Sequence, residues 1–425
     1  MLSFIHLSDI HFMKNSGDSF DVDEDLRNEI IYDITHCLPR YIDHIDGVLV
    51  CGDIAFSGKQ SEYDIATKFL EEMCSKADID DSKIFCVPGN HDVDQEITKN
   101  SECLQYLQQK LENSPNITEC DRNVAKIFRS ECDAQTLYSP ISCYNELFAA
   151  KYSCSLAPNK LTWSQELEIN PKYKLRLWGI NSTIISSHRD HQQDGSEKKM
   201  LVCNTLVPAR RDNTIFMSLC HHPPECWNDP GNLIKTKMDE RVAIQLYGHK
   251  HMQHVEFSEK TLVLKSGATH PSRFEEDWIP RYNWITLDIK NINSLDYLCI
   301  QIYPRVLNKQ QTSFVSENSG EGVNEYKEYK IKLSKEPDAV KQMTSDENIT
   351  VEQPLAVSSW ERKFAYDFIG LPYVKRNNIL RELNLFSPED EGRKHVDLLG
   401  KIIERAKEQK CVAELISVVN TAKKG

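Results

Sequence analysis

At 425 residues the chain is long enough for two or three domains with a large buried core. Its formal net charge of −13 argues against broad, non-specific binding to nucleic acid, which depends on Lys and Arg neutralising phosphates, though not against a local basic patch. The 14 cysteines are scattered with no C-x-x-C pair, and Met1-Leu2-Ser3-Phe4 run into an apolar segment with neither a basic nor an apolar leader. The expectation is a cytoplasmic protein with reduced thiols, several of them buried (Cys51, Cys86, Cys220), rather than a disulfide framework. No apolar run approaches the length that spans a bilayer.

Taken in order, residues 1–12 read as a strand and a polar turn: Phe4-Ile5-His6-Leu7-Ser8-Asp9-Ile10-His11 is an apolar run ending in Asp-x-His. Residues 13–22 are a polar loop. Asp23–Tyr41 carries Leu26, Ile30, Ile34 and Leu38 at helical spacing. A strand over 47–51 ends in Gly52-Asp53. The loop Ala55–Ser61 leads to a helix from Glu62 to Lys76. A third strand, 83–87, is broken by Pro88-Gly89 and followed by Asn90-His91-Asp92. This β-α-β-α-β order predicts a layered α/β fold.

Between Asp94 and Tyr173 the pattern changes to amphipathic helical segments (Glu102–Leu111, Asn123–Glu131, Cys143–Tyr152), predicting a largely helical insertion over 95–172 that caps the polar edge. Such an insertion either encodes substrate choice or is packing away from the site; the sequence leaves both open. A strand resumes at Leu175–Asn181, and 182–205 form a polar loop. Two further apolar runs end in His221-His222-Pro223-Pro224 and Gly248-His249-Lys250-His251. Thr261–Gly267 and Tyr282–Ile289 predict strands closing a second sheet. Leu298–Arg305 and Glu328–Leu333 predict a further antiparallel pair. Residues 334–357 are polar and aperiodic with Pro337 and Pro354, a linker signature. Beyond it, 358–425 predicts a small helical bundle with apolar faces such as Phe364, Phe368, Leu371 and Val412, Leu415, Ile416, Val419. Ser387-Pro388-Glu389-Asp390 reads as a helix start.

Five strand-like segments thus end in His, Asp or Asn. Alone, Asp9 or Asp53 reads as a turn carboxylate or helix cap, and His11 as a satisfied histidine. His249 and His251 alternate, so an extended backbone would aim both to one side. Jointly, five such ends at one sheet edge predict a metal centre, in the place where open α/β sheets hold ligands. Asp and His donors with one Asn and no thiolate suit Mn, Fe, Zn or Ni.

In this order D-x-H, G-D, G-N-H-D, H-H-P-P and G-H-x-H, spanning residues 1 to 290, resemble the calcineurin-like metallophosphoesterase superfamily. H-L-S-D-I-H-F, G-D-I-A-F-S-G and H-H-P-P are most similar to its class III cyclic-nucleotide phosphodiesterase branch. The resemblance implies a four-layer α/β/β/α sandwich over 1–333 and two divalent metal ions, Mn foremost. It implies Asp9, His11 and His251 at one ion, Asn90, His249 and His221 at the other, and Asp53 bridging. His221 is preferred to His222 because the family's ligand is the His at the strand end. His222 is left as a contact to substrate, a support for a ligand, or a structural residue. His91 would sit beside the phosphate and protonate the leaving oxygen or stabilise charge, with Asp92 orienting it. The implied reaction is attack of a metal-held hydroxide on a phosphodiester or nucleotide. A DNA or RNA nuclease of the same superfamily is the alternative, and a protein phosphatase the third. The C-terminal bundle resembles the death-like effector-associated domains of bacterial defence and signalling proteins, implying a protein partner and an antiviral role; no membrane partner is expected. Of the other polar residues, His188, Arg189, His191, Arg210, Arg211 and His270 read as solvated surface, and Arg273 and Arg281 as candidates to meet a substrate phosphate. Trp178, Trp227, Trp278 and Trp284 read as core or pocket wall.

Overall fold

A computed structural model describes residues 1–13, 23–190, 198–271, 279–318 and 324–333 and, further on, 364, 367, 368, 371, 373–386 and 395–424. Strands β1 (Leu2–Leu7), β2 (Gly47–Cys51) and β3 (Ile84–Val87) lie parallel, and every residue in them is buried. Their continuous apolar runs suit a sheet covered on both faces. Helices α1 (Glu24–Tyr32) and α2 (Gln60–Lys76) make the crossovers. Regular α-helix ends earlier than the periodicity predicts: Asp33–Cys37 is a π turn and Leu38–Arg40 a 3-10 turn.

After β3 come α3 (Gln95–Asn100), α4 (Glu102–Glu112), α5 (Ile117–Phe128) and α6 (Glu131–Tyr138). Each is capped by a short polar side chain, Asp94, Ser101, Asn116 and Ser130, that accepts from a first-turn N–H. The helical stretch does not run to 172. Its last turns end at Tyr152, and Thr162–Glu168 is strand β4. Trp163 decides this: its ring packs over Gly179 and its Nε1 donates to the Cys86 carbonyl at 2.9 Å. Tyr144 and Phe148 from the end of the helical stretch pack against Tyr63 of α2.

Strands β5 (Lys174–Ile180), β6 (Thr214–Cys220) and β7 (Ile244–Tyr247), with helix α7 (Leu233–Asp239) before β7, build the second sheet. It is completed by β8 (His254–Phe257) and β9 (Leu262–Lys265), in the order β4-β5-β6-β7-β9-β8. The first sheet continues through β10 (Arg281–Ile292), β11 (Leu295–Leu307) and β12 (Phe314–Ser316) in the order β12-β11-β10-β1-β2-β3, with β13 (Lys327–Lys332) also on β11. The segment around Tyr282–Ile289 therefore belongs to the first sheet, antiparallel to β1, and not to the second. Contacts of β2 with β6 and of β3 with β5 and β6 set the sheets face to face. This is the two-sheet α/β sandwich expected.

The chain divides into compact units at Met1–Ala339 and Val340–Gly425. The second contains α8 (Tyr373–Glu382), α9 (His395–Glu408) and α10 (Val412–Lys424), and Phe368, Leu380, Leu385, Ile402, Leu415 and Val419 form a core of its own. Residues 334–357 and the helix start at Ser387–Asp390 lie outside the described residues. Among the described residues no helix is long and apolar enough to cross a membrane.

Candidate metal centre

The parallel strands end at Leu7, Cys51, Val87, Cys220 and Tyr247, and the polar residues that follow converge. Asp9, His11 and His251 bring donor atoms within 4.8 Å of one another, as do Asp9, Asp53 and His221. The Asp53 carboxylate is central: its Oδ2 lies 3.2 Å from His221 Nε2 and 4.0 Å from His11 Nε2, while its Oδ1 accepts the His91 N–H at 2.8 Å. Asn90 Oδ1 stands 3.0 Å from both His221 Nε2 and His249 Nδ1. His251 Nε2 is 3.4 Å from Asp9 Oδ1. Two clusters thus share Asp53, one with Asp9, His11 and His251, the other with Asn90, His221 and His249. His222 also brings a nitrogen near those of His221 and His249, but its Nδ1 is engaged by Ser182 Oγ at 2.8 Å.

The electrostatics fit cations. Asp9 and Asp53 are buried, and among the described residues neither has a Lys or Arg ion pair. Among the described residues, both ring nitrogens of His11 are buried without a hydrogen-bond partner. Burial opposes charge on His221, but the Asp53 carboxylate outweighs it and raises the imidazole to about 9. A site that draws a proton onto a fully buried imidazole carries negative potential that a divalent ion would satisfy. His221 is oriented for this: its Nδ1 faces the Cys51 carbonyl at 2.9 Å, leaving Nε2 toward the cluster.

The calcineurin-like phosphoesterase family model matches residues 2–253. The chain belongs to that family. Among solved structures, a single mutant of Vps29 from Entamoeba histolytica is 11% identical, covers 78% of this chain and 100% of its own, and superposes with a TM-score of 0.31. A conserved Streptococcus pneumoniae protein described as a predicted phosphoesterase is 13% identical over 77% of this chain and 97% of its own, with a TM-score of 0.28. A putative 5'-nucleotidase of Staphylococcus aureus is 13% identical over 68% of this chain and 51% of its own, with a TM-score of 0.34. No curated protein matches.

Seen in this phosphoesterase, three expectations need correction. Asp92 does not orient His91. Its buried carboxylate accepts from the N–H groups of Ile54, Ala55 and Gly89 and from Tyr63 Oη, tying the turn after β2 to the turn after β3. Burial and the Asp53 charge push it up to about 6 against those hydrogen bonds. The His91 ring is held instead by Phe56, whose carbonyl accepts from Nδ1 at 2.8 Å. His249 and His251 are not on extended backbone: both have positive φ, 73° and 53°, so each ring addresses a different cluster. His270 is no solvated residue; it is half-buried behind the site, its N–H donating to the Asp9 carbonyl and its ring beside Asp23.

Arg281 is paired with Glu317 and not with the metal centre, and Arg273, His191 and Trp278 lie outside the described residues. Trp227 and Trp284 are buried. His188 contacts Thr98, and Arg210 pairs with Glu240. Supporting residues the motif reading missed are Ser8, whose Oγ donates to Asp9 Oδ2, and Ser182. A signal for the site's crowding was available in the glycines preceding the ligands. A Cβ on Gly89 would lie 2.1 Å from Asp53 Oδ1, and one on Gly248 2.2 Å from Ser8 Oγ.

Proposed function

We propose that this phosphoesterase uses two divalent ions, with Mn the first candidate, to hydrolyse a phosphodiester or nucleotide. The observation that carries the reading is the Asp53 carboxylate placed between two donor clusters. Asp9, His11 and His251 would hold one ion, Asn90, His221 and His249 the other, and Asp53 would serve both. When bound, such a pair supplies Lewis acidity and activates water near neutral pH.

The chain's own residues supply the rest. With His91 Nδ1 donating to the Phe56 carbonyl, Nε2 is the atom left to face the substrate and hand a proton to the leaving oxygen. Asp92 fixes the turn that carries Asn90 and His91 without touching the His91 ring. The Phe56 ring is 46% exposed and 5.3 Å from the His91 ring, a surface against which a planar group of the leaving portion can rest. This favours a nucleotide or aryl ester over a phosphorylated polypeptide.

The test is a hydrolysis screen of metal-stripped protein with Mn added back, against bis(p-nitrophenyl) phosphate, cyclic mononucleotides, nucleoside triphosphates and single- and double-stranded DNA. Asp53→Asn serves as the blank. Cleavage of small nucleotides, absent in the blank, is expected. DNA cleavage would move the assignment to nuclease, and equal activity in the blank would remove the two-ion reading. For the C-terminal unit, with its own apolar core, we propose a partner-binding role in a defence or signalling system. Deletion of 358–425 should keep hydrolysis and lose the co-purifying partner; a deletion that keeps its partners overturns that role.

A further inference from the structure

We infer that the edge of the second sheet carries a second, non-catalytic site for a nucleotide-sized anion. A cavity of about 480 Å³ opens there, a volume typical of small-molecule sites. Ser164 of β4, Arg176 and Trp178 of β5 and Phe216 of β6 line it, with Lys160 and Arg211 beside them. The register explains the grouping: Ser164 pairs with Trp178 and Arg176 with Phe216, so these side chains share one sheet face. Leu175 and Leu177 alternate to the other face and are fully buried. The metal-centre residues of this sheet follow the ends of β6 and β7, whereas the cavity lies at mid-strand on β5.

Its charge is opposite to that of the chain. Arg176 donates from Nη2 to Ser164 Oγ at 2.8 Å and pairs through Nη1 with Glu166 at 3.2 Å, yet among the described residues its buried Nε has no hydrogen-bond partner. Among the described residues, no ion pair is formed by Lys160 or Arg211. Glu166 is the carboxylate beside these cations, and it is shared with Lys174. In a protein of net charge −13 this is a concentrated cationic pocket. The aromatic wall is pre-set: Trp178 Nε1 donates to the Leu206 carbonyl at 2.8 Å, and Phe216 stands edge-on at 6.3 Å. A planar guanidinium, two further cations and a fixed indole are the features that take phosphate oxygens together with a stacked base. The site therefore fits a nucleoside mono- or diphosphate.

The test uses the full chain in excess chelator, so that phosphate uptake by bound metal does not contribute. ADP and inorganic pyrophosphate are titrated by calorimetry and by tryptophan fluorescence. One ADP per chain is expected. Affinity should fall about tenfold or more in Arg211→Glu, a difference of about 1.4 kcal/mol. A similar loss is expected in Arg176→Ala, and the fluorescence change should vanish in Trp178→Phe with the fold intact by circular dichroism. Asp53→Asn should bind ADP as the wild type does. Absence of ADP binding, or affinity unchanged in both arginine variants, overturns the site. Pyrophosphate binding as tightly as ADP overturns the nucleotide class. Loss in Asp53→Asn but not in Arg211→Glu places the ADP at the metal centre and overturns the proposal.

Discussion

The first unit buries charge in two ways. In the turn after α1, Asp33 receives Arg305 of β11 through Nε at 2.9 Å and Nη2 at 2.6 Å, and Tyr282 Oη of β10 as well. Arg305 also donates to the Phe314 carbonyl at 3.0 Å and lies over the Trp284 ring at 4.4 Å. Donor and acceptor close on each other, and Asp33 keeps helical φ at −61°. At the candidate metal centre, among the described residues, Asp9 and Asp53 receive backbone N–H groups and imidazoles but no guanidinium or ammonium, and both His11 ring nitrogens lack a hydrogen-bond partner. Asp9, His11, Asp53, His249 and His251 all have positive φ. Left-handed backbone costs about 1–3 kcal/mol at such residues and persists where the surroundings enforce it. One cluster is complete without a ligand; the other spends strain to keep its donors pointing inward.

Breaking the two clusters should give opposite signatures. The largest effect is expected for Asp53→Asn: hydrolysis should fall about 10³-fold or more, since this carboxylate serves both donor sets. Metal analysis should show lowered occupancy, and the rise in melting temperature that Mn is expected to give the wild type should be lost. Arg305→Ala should do the reverse. It leaves Asp33 buried and uncompensated, so denaturant unfolding should show a loss of about 3–5 kcal/mol while kcat of the folded fraction stays put. A kcat loss there comparable to that of Asp53→Asn would end the distinction.

Smaller changes sharpen it within the metal centre. His91→Ala should lower kcat about 10²-fold or more with both metals retained, because under the proposed function it removes a proton donor and not a ligand. The loss should shrink for substrates with good leaving groups. Asp92→Asn should cost about 1–3 kcal/mol of stability, as three backbone donors and Tyr63 lose a carboxylate partner. Its kcat should stay nearer wild type than that of His91→Ala. Equal kcat losses in the two variants would restore a direct role for Asp92 in catalysis.

Much of the metal centre was legible as residue types at strand ends. The apolar runs before Asp9, Asp53, Asn90, His221 and His249 mark strands, and a Gly or Pro close to the last four marks where each of those must stop. What misled was local geometry. Spacing at His249 and His251 suggested an extended backbone, but the turn is left-handed, and a two-residue alternation does not reveal φ. Adjacency suggested that Asp92 serves His91, yet neighbouring side chains in a tight turn point apart, and Asp92 found donors 37 residues away at Ala55.

By itself the sequence determined the β-α-β-α-β order of the first half, the donor types at the strand ends and the family, because these are written in short-range hydrophobic periodicity and turn chemistry. Only the tertiary structure decided that β10 joins the first sheet, that Phe56 rather than Asp92 holds His91, and that Asp33 and Arg305 close on each other across 272 residues. It also decided that Arg176, Trp178 and Arg211 share one cavity. Those outcomes depend on which faces pack and which donors burial leaves unpaired, a competition among distant segments that no local window of residues contains.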